Sequence, residues 1–229
     1  MAVAPSSRDR RVMFAMDFRD PVTGLGVTDL DVVAQSLGPP IRTPSGRFVW
    51  LDLDPPAQRN VKVRATSRRK RFAAFEEQIT VPAHQPGTSA AALLVSRRLT
   101  PSGLYEPPDG LTGAAGWLVE DATRKVVTGA RIAIAFRHLG NQTFASAYQA
   151  VTDLDGRFVA VANDLGDIRP DPAPPDPQQP GIDPGVLAWL IVTRGGQTRY
   201  SGFQPLRFGR LVRFAEPFLW SALSSNPPQ

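Results

Sequence analysis

Residues 152–162 read "TDLDGRFVAVA", a polar turn running into an alternating apolar stretch. Thr152 and Asp153 can hydrogen-bond a turn backbone, Gly156 accepts the left-handed region without a Cβ penalty, and Phe158 returns to a core. Asp155–Gly156 between two alternating runs is a β-hairpin signal. Residues 43–53, "TPSGRFVWLDL", repeat the Gly-Arg-Phe-Val tetrad 110 positions earlier. The match extends upstream. Residues 17–34, "DFRDPVTGLGVTDLDVVA", and 118–136, "LVEDATRKVVTGARIAIAF", each read as a strand, an Asp-initiated turn containing "VTG", and a strand. Two copies of one β structure are therefore expected.

The rest of the chain fits that expectation. Its 229 residues suffice for two domains of about 100 residues each, and 23 prolines and 19 glycines argue against long helices. Period-two alternation marks strands at "VMFAMDF", "RFVWLDL", "VKVRATS", "ARIAIAF", "TFASAYQAVT" and "RFVAVAND". The expected fold is all-β, two tandem small β-sandwich domains of transthyretin/Ig-like type. An N-terminal arm takes 1–11, domain 1 takes 12–100, a linker 101–112, domain 2 takes 113–220, and a polar tail 221–229. Residues 168–185, with seven prolines in 18 positions, read as an extended loop inserted into domain 2.

The second copy resembles the carboxypeptidase regulatory-like domain, a transthyretin-like β-sandwich. The likeness rests on Gly116, Val119, Asp121, Gly129 and Ala130, then Thr152, Asp153, Asp155, Gly156 and Phe158 of the "T-D-x-D-G-x-F" turn. It covers residues 113–162 well; the Pro-rich insertion departs from the pattern. In the first copy Thr43, Gly46 and Phe48 fit, with "TPSG" in place of "TDLDG". The resemblance implies a fold and a scaffolding or binding role, without peptidase chemistry.

The candidate sites are few. The chain has no cysteine, which excludes disulfides and thiolate chemistry, and its two histidines, His84 and His138, lie in different expected domains. "TDLDG" has carboxylates at alternate positions, as hard-cation loops do, but lacks the later ligands of such a loop and reads as a turn. There is no G-x-S-x-G and no phosphate-binding loop. Glu76–Glu77 and Glu120–Asp121 are adjacent, so on a strand their side chains point to opposite faces. No catalytic, cofactor or metal residue is assigned.

Charge supplies the remaining candidate. The net charge is +5, with 15 basic against 9 acidic residues in 1–105 and 11 against 12 in 106–229. Arg64, Arg68, Arg69, Lys70 and Arg71, with Lys62, form the densest basic cluster. It is open between a solvated strand end, a protein contact and a nucleic-acid contact, the last wanting interleaved aromatics.

No signal-like or membrane-length apolar run is visible, so cytoplasmic assembly is expected. The reading that follows is a non-catalytic structural or accessory subunit of a large assembly, by resemblance of kind a phage tail-like contractile injection particle. Its partners would be other protein subunits, with no cofactor and no nucleic acid. The alternative is a surface or extracellular module binding carbohydrate or peptide. That reading wants exposed aromatics; Trp117, Trp189 and Trp220 all sit in apolar strand contexts that favour burial.

Overall fold

The computed structural model describes residues 11–52, 58–81, 83, 90–138, 142–162, 170–173 and 185–229. His84, residues 1–10 of the arm and most of the Pro-rich loop lie outside them. The chain divides into two units. Unit 1 holds Met1–Asp20, Gly24–Arg68 and Ala74–Leu99; unit 2 holds Pro21–Thr23, Arg69–Ala73 and Thr100–Gln229.

Unit 1 is built from two sheets. The first runs β3 (Ile41–Arg42), β4 (Phe48–Asp52), β1 (Arg11–Arg19), β7 (Leu94–Arg98). The second runs β2 (Leu30–Ala34), β5 (Arg59–Ser67), β6 (Phe75–Val81). Alternation on these strands sends Phe14, Met16 and Phe18 of β1 and Phe48 and Trp50 of β4 into one core, with Val61, Val63 and Ala65 of β5. Phe14 stacks on Trp50 at 4.6 Å between ring centroids, and Phe18 meets Phe75 of the other sheet edge-on at 5.3 Å.

Unit 2 repeats the plan. One sheet runs β12 (Arg157–Ala162), β8 (Thr112–Val119), β16 (Leu211–Arg213), with β17 (Phe218–Leu219) also on β8. The other runs β10 (Gln142–Ala145), β9 (Arg131–His138), β13 (Val186–Arg194), β14 (Gln197–Tyr200). Two short strands, β11 (Ala150–Val151) and β15 (Gln204–Leu206), join this second sheet on β9 and β13. Leu118, Ile132, Ile134, Phe136, Phe158 and Leu190 anchor the core between the sheets.

The repeat extends to register, from Phe14 onward in β1, whose bulge between Val12 and Phe14 has no counterpart in β8. On β1–β4 the pairs are Phe14↔Trp50, Ala15↔Val49 and Met16↔Phe48; on β8–β12 they are Ala114↔Ala160, Ala115↔Val159 and Gly116↔Phe158. Residues of β8 are thus those of β1 raised by 100, and residues of β12 those of β4 raised by 110. The second sheets agree too: Val32↔Ala65 and Ala34↔Val63 correspond to Ile132↔Val192 and Ile134↔Leu190. Both first sheets also add a parallel strand, β7 on β1 and β16 on β8.

The two GRFV turns are built alike. Thr43 N–H donates to Arg47 O and Gly46 N–H to Thr43 O, both at 2.9 Å, while Thr43 Oγ1 accepts Arg47 N–H at 3.1 Å. Asp153 N–H donates to Arg157 O at 2.9 Å and Gly156 N–H to Asp153 O at 3.0 Å, and Asp153 Oδ1 accepts Arg157 N–H at 2.9 Å. Asp153 therefore occupies the place of Thr43. Gly46 (φ +81°) and Gly156 (φ +73°) both hold the left-handed region. Thr152 serves a different end, accepting Ala130 N–H on its hydroxyl at 2.9 Å.

Three details depart from the sequence reading. The hairpin expected at the "TDLDG" turn does not form: β11 pairs with β9 and β12 with β8, so the turn carries the chain from one sheet to the other. A hairpin does form in the first copy, where β3 pairs with β4. Second, the matched "VTG" triplets are not equivalent. Val27 N–H donates to Phe18 O and Val127 N–H to Leu118 O, so Val27 corresponds to Val127 and the first "VTG" lies inside the turn. Third, residues 101–112, read as a linker, are packed into unit 2, where Val151 N–H donates to Pro101 O at 3.0 Å and Tyr105 is buried against Phe72.

Candidate functional site

The basic cluster has its own acidic partners for part of its length. Arg64 and Lys62, on the outward face of β5, pair with Glu76 across the strand, and Arg68 pairs with Asp31 at 2.6 Å. Lys62, then Arg64, hold the Glu76 carboxyl below its ordinary range, and the Asp31 hydrogen bond raises Arg68 further. Glu77, on the opposite face, pairs with Arg97 at 2.6 Å and is lowered by it. Beyond Arg68 the chain enters unit 2. There Ser102 ties the turn, its hydroxyl donating to Lys70 O and its N–H to Arg71 O. Arg71 lies over the Phe72 ring at 5.8 Å. Arg69 and Lys70 are exposed, with no ion pair among the described residues. The five candidates are thus two paired arginines, Arg64 and Arg68, two exposed cations, Arg69 and Lys70, and Arg71 over an aromatic ring.

A more structured site lies in unit 2, on the outward face of the β12–β8–β16 sheet. A cavity of about 590 Å³ opens there, within the range of small binding clefts. Alternation on β8 turns Leu118 into the core and Trp117 out of it, and Trp117 is 36% exposed while Trp189 and Trp220 are 2% and 6%. Burial was expected for all three; for Trp117 that is corrected, because it sits on the odd, outward positions of its strand. Val126 and Phe214 add to the apolar lining, while the Phe158 ring is buried in the core.

Three arginines rim this cavity: Arg124, Arg157 and Arg213. Register puts Arg157 directly opposite Trp117, and Arg213 opposite Ala115 on the other side of β8. Each arginine is exposed, and none is in an ion pair among the described residues. Asp155 is the carboxylate among the lining residues, so the rim carries a surplus of positive charge. Lys62, Arg64, Arg68 and Arg97 of unit 1 are neutralised, whereas these three face solvent uncompensated.

Arg124 is also conformationally costly. Its φ is +58°, and the residue 100 positions earlier, at the same place in the turn, is Gly24 with φ +72°. In both turns a backbone bond spans the loop, Asp20 N–H to Leu25 O and Glu120 N–H to Lys125 O. The turn demands a left-handed residue; unit 1 meets that demand with glycine and unit 2 with arginine. Sequence reading did not single out Arg124, Arg157 or Arg213. The signal that finds them is the repeat itself, once Val27 rather than the "VTG" triplet sets the alignment.

No protein-family model and no curated protein sequence matches the chain, so the carboxypeptidase regulatory-like resemblance rests on its turn and strand motifs alone. Among solved structures, the shaft pilin SpaA from Lactobacillus rhamnosus GG is similar at 10% identity over 90% of this chain and 96% of that one, with a TM-score of 0.25. A streptococcal ancillary pilin is similar at 10% identity over 91% of this chain and 62% of that one, with a TM-score of 0.27. Likeness of this degree transfers no property of either protein to this chain.

Proposed function

We propose that this chain is a non-catalytic structural or accessory subunit that works through protein–protein contacts, with unit 2 as a docking unit. The observation that carries this reading is the Trp117 cavity, an exposed indole set among uncompensated arginines. Tryptophan and arginine are the residues that dominate contact energies at protein interfaces, because each combines a large apolar surface with a directional polar group. The sandwich of unit 2 supplies the frame on which such a contact is held.

The finer reading is a subunit of a phage tail-like contractile injection particle assembled in the cytoplasm. Sedimentation of lysate from the native host tests it. Recovery of the chain with particles, and its release to the supernatant for Trp117→Ala, supports the reading; a wild-type chain found as a soluble monomer overturns it. Trp117 also suits the alternative of a carbohydrate-binding module, since sugars stack on exposed indoles. Saturation-transfer NMR with a set of oligosaccharides separates the two.

A further inference from the structure

The Trp117 cavity also points to the chemistry of its occupant. We infer that it takes an acidic, extended peptide segment of a partner protein, seating an apolar side chain on Trp117 and carboxylates on Arg124, Arg157 and Arg213; this rests on the protein-contact reading above.

Three observations converge. The first is charge: three exposed guanidiniums surround one indole, and only Asp155 opposes them among the lining residues. A planar guanidinium matches a carboxylate in a two-point hydrogen-bonded geometry, which a lysine cannot reproduce.

The second is the comparison between copies. The positions equivalent to Trp117 and Val119 are Asp17 and Arg19, which pair with each other at 2.7 Å, and Arg19 donates to Gly24 O at 3.2 Å. Unit 1 therefore satisfies this face with its own ion pair. Unit 2 has replaced that pair by an exposed indole and a buried valine, beside Arg157, whose counterpart Arg47 is likewise exposed. Third, Arg124 holds a left-handed backbone that its counterpart assigns to glycine. Strain kept at a cavity rim against an available glycine marks a side chain retained for what it contacts.

Apolar side chains beside the rim fit the same occupant. Val126 and Leu154 are exposed, and Val126 packs close to the Gly156 turn that carries Leu154. A segment alternating acidic and apolar residues would cover them while meeting the arginines. A fully hydrophilic polyanion would leave this surface in water.

The test is selection of short random-sequence peptides displayed on phage against the full-length chain, with the Trp117→Ala chain panned in parallel. Selected peptides are then synthesised and titrated by fluorescence anisotropy. The expected peptides carry Asp or Glu on both sides of an aromatic or aliphatic residue. Their Kd rises at least about tenfold on Trp117→Ala, and by roughly tenfold at low salt on Arg157→Glu or Arg213→Glu. Circular dichroism and melting check that these surface variants remain folded.

Failure to enrich any peptide over the Trp117→Ala chain overturns the inference, as does a selected set without acidic residues. Displacement of the peptides by oligothymidylate at lower concentration overturns it in favour of a nucleic acid. Sedimentation keeps the two proposals apart: a chain that joins particles without selecting acidic peptides refutes this inference alone, and a chain that selects them but never joins an assembly refutes the structural-subunit reading.

Discussion

Replacing Arg124 by glycine should make the protein more stable and its cavity less able to bind. Arg124 sits at φ +58°, where a side chain bearing a Cβ costs about 1–2 kcal/mol relative to the right-handed region. Glycine removes that cost but brings a larger loss of chain entropy on folding, about 0.5–1 kcal/mol. The balance favours Arg124→Gly by roughly 0.5–1 kcal/mol. For a chain of this size that raises the melting temperature by about 1–4 °C.

The first copy provides the reverse experiment. A Cβ at Gly24 meets no atom within 4 Å, so Gly24→Arg adds conformational strain without a clash and should lower stability by about the same roughly 0.5–1 kcal/mol. Calorimetry of both variants, with peptide titration of Arg124→Gly, checks the pair. If Arg124→Gly melts lower than wild type, the Arg124 side chain contributes folding energy that exceeds its strain. Arg124 would then be held for folding and not for a ligand. A rise in stability with at least threefold weaker peptide binding is the outcome expected of a functional side chain.

Other perturbations probe the frame around the site. Gly156→Ala should cost about 2–4 kcal/mol, because its new Cβ would lie 2.6 Å from Leu118 O as well as at positive φ. Gly46→Ala should cost less, about 1–2 kcal/mol, since the nearest atom is a methyl of Thr28 that can move; urea unfolding ranks the two. Arg97 lowers the Glu77 carboxyl, so their pair adds stability above the ordinary glutamate range, near pH 4.3, and loses it as pH falls through the lowered value. Arg97→Met should therefore cost up to about 1 kcal/mol at pH 7 and much less near pH 2, measured by unfolding at both. Iodide should quench Trp117 first, since Trp50, Trp189 and Trp220 are buried; if Trp117→Phe leaves the quenchable fraction unchanged, the cavity is closed in solution.

Much of the fold was legible because duplication writes the same constraint twice. Gly46 and Gly156 must be glycine for their φ, and Phe48 and Phe158 must face a core, so the tetrad persisted and announced the repeat. The partners of the strands were less legible. Nothing local distinguishes the residues before the two turns, yet β3 stays with β4 while β11 crosses to β9, because pairing is settled by distant strands competing for one edge. The "VTG" triplets misled for a related reason: short polar sequences suit many turn positions, and hydrogen bonds from Val27 and Val127 decide the true equivalence. The basic cluster was visible as charge alone. That Glu76 and Asp31 would neutralise Arg64 and Arg68 depends on register across β2, β5 and β6, which composition does not carry.

The contrast between the two copies is the strongest physical reason to place function on unit 2. Positions that face inward have kept their character: Val27 and Val127, Leu30 and Ala130, Val32 and Ile132, Phe48 and Phe158 are all buried. Outward positions differ on both sheets, Asp31 against Arg131 and Arg64 against Ile191 on one, Asp17 against Trp117, Arg19 against Val119 and Gly24 against Arg124 around the cavity on the other. Drift on a solvated face would replace polar residues with other polar residues, because an exposed indole gains nothing from water and an arginine at positive φ loses folding energy. Both changes here run against stability, and they occur within one cavity. A contact that appears only when a partner is bound offsets such costs, since burying the indole and pairing the guanidiniums return more than the free chain has lost.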